Sequence, residues 1–407
     1  MEGENNGAAP IAICGIGLRL PGDISTTSAL FDFLRDKKDA RSLIPAGRYN
    51  AKAFHSEHGK PNSIKMQHGY FLSSDESPAD RAIDLANFDC DAFSPTPAEA
   101  AHLDPQHRLA LEVTKEALDS AGETGWRGAK IGTYVGVFAE DWRELQQKDE
   151  LAYTPYRVLG AMDYALGNRL AYEFDLKGPS MTIKTACSSA GVALHEACQA
   201  IQQGSISSAV VCGANLMLAP GMTIDLSLQM AISADGSSKS FDASADGYAR
   251  AEAVTAIYIK RLDQAVRDGN PVRAVIRGSA SNADGKTNGM PLPSSQAHEA
   301  CIQAAYMNAG LPMNSTTIAE SHGTGTKVGD PLEAKAISKC FGHGDGVILG
   351  AVKPNLGHSE AAAALTSIVK AVISLERQTI LPNIKFEDPN PASMRTNPSK
   401  NHLSDSD

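Results

Sequence analysis

Residues 180–191 read Ser180-Met181-Thr182-Ile183-Lys184-Thr185-Ala186-Cys187-Ser188-Ser189-Ala190-Gly191, followed by Val192-Ala193-Leu194-His195-Glu196-Ala197-Cys198-Gln199-Ala200-Ile201. Thr182, Ile183 and Thr185 are β-branched, which suits a short strand. After Cys187, small residues lead into apolar positions that recur at helical spacing. The cysteine therefore sits at a predicted strand-to-helix turn, where unpaired backbone N–H groups and the helix dipole favour negative charge. Such a placement lowers a thiol's pKa and raises its thiolate fraction. A free cysteine is equally at home as a small buried apolar side chain, and local sequence alone admits both readings.

On the N-terminal side, 11–17 (Ile-Ala-Ile-Cys-Gly-Ile-Gly) reads as a buried first strand ending in a glycine turn. Gly15 and Gly17 begin a G-x-G, but Leu20 stands where the dinucleotide fingerprint needs its third glycine. A helix over 26–37 takes Ser25 or Thr26 as N-cap, and 40–80 reads as surface loops. Asp104-Pro105-Gln106 opens a helix over 104–121. A buried strand at 131–138, a charged, tyrosine-rich loop at 140–158 and a helix at 160–173 lead to the central strand. Beyond the cysteine come strands at 209–213 and 253–261, separated by a loop region, 230–252, punctuated by glycine and aspartate and too long for a mere connection. A second series starts at Val272, with strands at 274–279, 317–321 and 347–350 and helices at 294–309, 330–341 and 359–377. Strands alternating with helices imply a parallel α/β sheet. Two such series imply a duplicated architecture, with halves at 10–262 and 263–390 and disordered ends at 1–9 and 391–407.

The 407 residues suffice for one large or two ordinary domains. A net charge of −10 argues against a nucleic-acid surface, which needs clustered Lys and Arg. No apolar run approaches the ~18–20 residues of a membrane span. Cys14, Cys90, Cys187, Cys198, Cys212, Cys301 and Cys340 are odd in number and contain no C-x-x-C pair, so they form neither a zinc pattern nor a disulfide framework. The N-terminus lacks the basic and apolar regions of a signal peptide. A reducing, cytoplasmic setting follows.

Two further stretches share the design around Cys187, a strand end and small residues before a helix. They are His322-Gly323-Thr324-Gly325-Thr326-Lys327-Val328-Gly329-Asp330-Pro331-Leu332-Glu333 and Lys353-Pro354-Asn355-Leu356-Gly357-His358-Ser359-Glu360. Carboxyl ends of strands line the site of an α/β sheet, so a thiol and two imidazoles can converge there. A thiolate with an imidazole partner performs acyl chemistry. One histidine suffices for a cysteine hydrolase; two can donate hydrogen bonds to one carbonyl oxygen and stabilise an enolate. A lone histidine is usually structural, but glycine beside both suits close approach of a ligand. Neither histidine has zinc-like spacing. Asp330, Glu333 and Lys353 read either as surface charges or as a buried set in which Glu333 pairs with Lys353 and positions the histidine loops. His195 and His343 read as structural or exposed.

At these residues the chain resembles the β-ketoacyl synthase family of thiolase-like condensing enzymes, and more narrowly the ketosynthase domain of fungal iterative type I polyketide synthases. Thr185-Ala186-Cys187-Ser188-Ser189 matches the family's nucleophile motif, and the two histidine stretches match its histidine motifs in order. Asp104-Pro105-Gln106, Phe241-Asp242 with Ala245-Asp246-Gly247-Tyr248, and Asn282-Ala283-Asp284-Gly285 are further marks. The resemblance implies a duplicated five-layer αβαβα fold. It implies that Cys187 carries the acyl chain as a thioester, and that His322 and His358 bind the malonyl thioester carbonyl, promote loss of CO2 and stabilise the enolate. Lys353, Glu333 and Asp330 then support the site, and Thr324 and Thr326 contact substrate. No metal or directly bound cofactor is implied. Substrates ride on the phosphopantetheine of an acyl carrier protein, and the family forms homodimers through the strand before the cysteine, here 180–185.

Two departures stand out. Ala251 follows Arg250 where the family has glycine. No Gly-Phe-Gly-Gly-Thr-Asn-Ala-His stretch follows Asn390-Pro391, so the last two strands of the C-terminal half are expected to be missing. That leaves an alternative reading, an inactive truncated ketosynthase acting only as a dimerisation or interaction partner.

Overall fold

The structure is a computed structural model that describes residues 9–80, 82–148, 153–342 and 346–394. Its strands are β1 (Ile11–Arg19), β2 (Arg41–Leu43), β3 (His68–Tyr70), β4 (Gly132–Val137), β5 (Ser180–Ile183), β6 (Ser208–Asn215), β7 (Ala253–Arg261), β8 (Ala274–Ile276), β9 (Ile318–Glu320) and β10 (Ile348–Gly350). Six form one sheet in the order β5-β4-β6-β7-β1-β8, and β9 and β10 form a second, parallel pair. The first sheet is mixed. β5, β4 and β6 run parallel, whereas β7 pairs antiparallel with both β6 and β1.

Helices cover both sheets. One face of the first sheet packs on the helix Pro105–Ser120, which supplies Leu109, Val113 and Ala117 to that core. Asp104 caps this helix by accepting from the Gln106 N–H at 2.8 Å, and Pro105 occupies the first turn, where its missing N–H costs nothing. The other face packs on the helices Ser189–Gln202 and Ala363–Glu376 through Ala190, Leu194, Leu365 and Val369. The second sheet lies beyond that central layer, tied to it by a buried Lys370–Glu320 ion pair. Its outer side carries the helices Ser295–Ala309 and Gly329–Phe341, which meet it through Ile302, Tyr306, Ile337 and Phe341. The layers thus run αβαβα.

Several sequence expectations change. β1 continues through Gly15 and Gly17 to Arg19 and does not end in a glycine turn. A Cβ on Gly15 would lie 1.8 Å from the Ala117 carbonyl oxygen, and one on Gly17 would lie 2.1 Å from that of Val113. These glycines let the helix Pro105–Ser120 lie close on the strand. β8 pairs antiparallel with Ile11–Ile13 at the edge of the first sheet and not with the strands that follow it. The 40–80 segment contains the antiparallel pair β2–β3, whose Tyr70 is buried, and the 140–158 segment contains the helix Asp141–Gln147. The helix expected over 160–173 is broken into Arg157–Ala161 and Ala165–Glu173. Pro391–Met394 form a helical turn where disorder is expected. Residues 1–8, His343 and 395–407 lie outside the described residues.

Candidate active site

Cys187 stands in a 3-10 turn, Ala186–Ser188, between β5 and the helix Ser189–Gln202. The turn is tight: Ala186 has φ 55°, a left-handed value uncommon outside glycine. Ser189 holds it closed. Its hydroxyl accepts from the Thr185 N–H at 2.9 Å and donates to the Ala186 carbonyl at 2.6 Å and the Val137 carbonyl at 3.1 Å. Gly136 in β4 has no room for a side chain, because a Cβ would meet the Ala190 nitrogen at 2.3 Å. That close approach fixes the cysteine-bearing helix against the sheet.

The three predicted reactive residues converge. The Cys187 Sγ and one ring nitrogen each from His322 and His358 all lie within 4.8 Å of one another. The imidazoles meet edge to face with centroids 5.2 Å apart, and Tyr248 covers His358 at 4.9 Å. Cys187 is half-buried, His358 buried and His322 exposed.

His322 is held through its backbone. Glu333 accepts from the His322 N–H at 2.6 Å and the Gly323 N–H at 2.8 Å, and the Lys353 ammonium donates to the His322 carbonyl at 2.5 Å. Glu333 and Lys353 thus support the histidine loop by gripping one peptide stretch from two sides, not by closing on each other. Asp330 is fully buried at the start of the helix Gly329–Phe341 and accepts from the N–H groups of Phe241, Gly325 and Thr326. The Ser240 hydroxyl donates to the Gly323 carbonyl. Thr324 and Thr326 are half-buried and their hydroxyls stay within the loop. They contact each other at 3.1 Å, Thr324 reaches Asp330, and Thr326 accepts from the Gly329 N–H.

His358 is held by residues that sequence reasoning missed. Its N–H donates to the Ala249 carbonyl, and its carbonyl accepts from the Ala251 N–H, both at 2.8 Å. Its Nδ1 accepts from the Glu360 N–H at 2.9 Å. A neutral ring that accepts at Nδ1 carries its proton on Nε2. Glu360, itself at φ 45°, makes a buried bidentate pair with Arg250 at 2.7 and 2.9 Å, and Arg250 also donates to the Thr223 hydroxyl. Gly357 enters this turn at φ 70°, and a Cβ there would lie 2.4 Å from the Tyr70 ring. Ala251 has no left-handed backbone and is fully buried, so the loop accommodates alanine. The signal available in sequence was a charge, Arg250 or Glu360, inside an alanine- and glycine-rich segment, where burial demands a partner.

Electrostatics separate the histidines from the thiol. Burial and the Lys353 cation hold both imidazoles well below their ordinary pKa, so each is neutral near pH 7. Solvent beside His322 tempers the effect there; His358 feels it in full. Burial also lowers Lys353, against the raising influence of Glu333 and Glu320. The expected acidic thiol is not found. Burial pushes the Cys187 pKa up, and Lys353 and the Cys187 N–H offset this only in part. Desolvation of the thiolate outweighs the helix terminus. His195 plays no part here: its Nδ1 meets the Ser279 hydroxyl at 2.9 Å.

A cysteine with two histidines matches the donors of a zinc site, yet His358 is in the wrong state for one. A zinc-bound imidazole offers one lone pair and donates its other N–H. Here the Nδ1 lone pair is engaged by Glu360 and Nε2 bears the proton.

Two family profiles cover most of the chain. That described as Beta-ketoacyl synthase, N-terminal domain, matches residues 8–265, and that described as Beta-ketoacyl synthase, C-terminal domain, matches 273–387. The chain belongs to the β-ketoacyl synthase family. It is 55% identical, over 94% of its length, to a highly reducing polyketide synthase from Fusarium sp, and 52% identical, over 94%, to the squalestatin hexaketide synthase of a Phoma species. It spans 15% of the length of each of these relatives. Among solved structures it resembles a ketosynthase from module 6 of the Bacillus subtilis 168 bacillaene synthase (TM-score 0.81, 30% identity, 94% of this chain and 64% of that one). It also resembles an oxazolomycin ketosynthase domain from Streptomyces albus JA3453 (TM-score 0.86, 30% identity, 95% and 68%). The αβαβα layering is the thiolase-like fold of these ketosynthases. No helix among the described residues is long and apolar enough to cross a membrane.

Proposed function

We propose that this chain carries the condensing activity of polyketide assembly, a decarboxylative Claisen condensation of a malonyl extender with an acyl chain held on Cys187. The observation that carries the reading is the convergence of one thiol and two neutral imidazoles within 4.8 Å. The Cys187 sulfur attacks an acyl thioester carbonyl, and the incoming carrier leaves as a thiol with the proton that the cysteine gives up. The malonyl thioester then places its carbonyl oxygen against His322 and the Nε2–H of His358. Donors aimed at that oxygen stabilise the enolate formed as CO2 departs. The enolate carbon attacks the acyl-Cys187 carbonyl, the C–S bond breaks, and the sulfur leaves as thiolate near the Lys353 cation. Asp330, Glu333 and Lys353 position the His322 loop. Thr324 and Thr326, already bonded within it, act on substrate by shaping its approach.

The substrates ride on the phosphopantetheine arm of an acyl carrier protein or domain, since the site needs thioesters and no metal or directly bound cofactor. A homodimer forms through β5, a reading supported by its place at the sheet edge and by the exposure of Met181. Free cysteines throughout fit a cytoplasmic setting. The test is CO2 release from a malonyl pantetheine thioester. His322→Ala and His358→Ala each lower it by about 10²-fold or more, while Cys187→Ala retains it. Release indifferent to both histidines contradicts the reading.

A further inference from the structure

We propose that the buried Arg250–Glu360 pair is a tautomer lock that keeps zinc and similar divalent cations out of the Cys187–His322–His358 cluster. A converging thiol and two imidazoles supply the three protein ligands of a catalytic zinc site, which keeps its fourth position for water or substrate. Their separations, within 4.8 Å, need to contract to roughly 3.5 Å to meet a metal at usual Zn–S and Zn–N lengths. On ligand type and spacing alone, the cluster would be vulnerable to any cell zinc that reached it.

The device that prevents this lies in the 358–360 turn. The 249–251 segment holds both ends of the turn. Its backbone brackets the His358 peptide through the Ala249 carbonyl and the Ala251 N–H. The side chain of Arg250, between them, grips the Glu360 carboxylate in two hydrogen bonds and is itself bonded to Thr223. Glu360 is thereby kept in a left-handed conformation that a glutamate seldom adopts, with its N–H on the His358 Nδ1. To bind a metal through Nε2, the ring must move its proton to Nδ1, against an N–H that already occupies that lone pair. To bind through Nδ1, it must break the Glu360 bond. Either route opposes the buried pair. Arg250 and Glu360 are positioning residues, acting on the reacting atoms through His358.

Metal binding is read without any condensation assay, so its outcome is separate from that of the proposed function. Binding would form an S–Zn bond as the thiol releases its proton to solvent. The probes are Zn2+, measured by competition with a chromophoric chelator, and Cd2+, read by thiolate-to-metal absorption. Each is applied to the full chain and to its Cys187→Ala form, so that the six other cysteines cancel. The wild type should show no Cys187-dependent uptake at equimolar metal, and 15N spectra should place the His358 proton on Nε2. The double variant Arg250→Gln/Glu360→Gln removes both charges together and so avoids a lone buried ion. It should gain Cys187-dependent affinity by about 10–100-fold, the usual weight of such supporting contacts. Because the double variant can lose its fold, the wild-type spectrum stands as an independent arm. A proton on Nδ1 in the wild type, or equal Cys187-dependent affinity in folded wild type and variant, overturns the proposal.

Discussion

Glu333 and Lys353 act on one residue, His322: the carboxylate takes its N–H at 2.6 Å and the ammonium donates to its carbonyl at 2.5 Å. A backbone clamped at both ends leaves the imidazole little freedom to drift. That matters for the proposed role of meeting a developing oxyanion, where displacements near 1 Å cost about 10²-fold in rate.

Glu333→Ala therefore damages both fold and chemistry. Two N–H groups, of His322 and Gly323, lose their acceptor, and the buried Gly323 N–H left unsatisfied costs about 1–3 kcal/mol. Thermal unfolding should show a clear fall in Tm, and malonyl thioester decarboxylation should drop by about 10²-fold. Glu333→Gln, which keeps one acceptor oxygen, should lie between this variant and the wild type on both measures.

Gly357→Ala should be among the most damaging small changes in the chain. The residue sits at φ 70°, and the new Cβ would overlap the buried Tyr70 ring. The expected cost is about 1–3 kcal/mol of overpacking, with backbone strain added, read as a lower urea midpoint. Loss of decarboxylation should accompany it, since the next residue is His358.

The chemistry-bearing residue types were legible because their surroundings were unusual. Cys187, His322 and His358 each follow a strand and sit among glycine, alanine, serine or threonine, and that setting marks sites better than the side chains themselves. Other features depend on partners far away in the chain. Arg250 and Glu360 are 110 residues apart, and nothing in either segment names the other. Gly15 and Gly17 look like turn glycines until the helix Pro105–Ser120 is seen lying on them. The pairing of β8 with β1 is equally hidden from local sequence, because non-local hydrogen bonds decide it. The thiol pKa was misjudged for a related reason: a helix terminus is visible in sequence, whereas the desolvation that overrides it is tertiary.

That correction has a kinetic consequence. Burial raises the Cys187 pKa, so the thiolate fraction at pH 7 is smaller than that of an ordinary cysteine. Alkylation by iodoacetamide at Cys187, followed by peptide mass, should still be accelerating above pH 9. Lys353 lowers the same pKa, so Lys353→Met should raise it further and slow alkylation at pH 8. Faster alkylation in that variant would contradict the assigned sign.

A separate pH effect concerns Asp141, whose carboxylate accepts from the Leu218 and Ala219 N–H groups at 2.9 Å. Burial raises it from 3.8 to about 6, so the folded state binds this proton more tightly than the unfolded chain. Its contribution to stability is present below about pH 4 and is lost as pH rises through about 6. Asp141→Asn, which can keep an accepting oxygen, should flatten the Tm profile in that window and raise Tm at pH 7 relative to the wild type.

The most direct test of the whole account is the intact mass of the protein after incubation with a medium-chain acyl pantetheine thioester. One acyl increment should appear, located by peptide mapping on Cys187 and released by hydroxylamine, and it should vanish in Cys187→Ala. No increment in the folded wild type, or an equal one in Cys187→Ala, would contradict the assignment of Cys187 as the nucleophile.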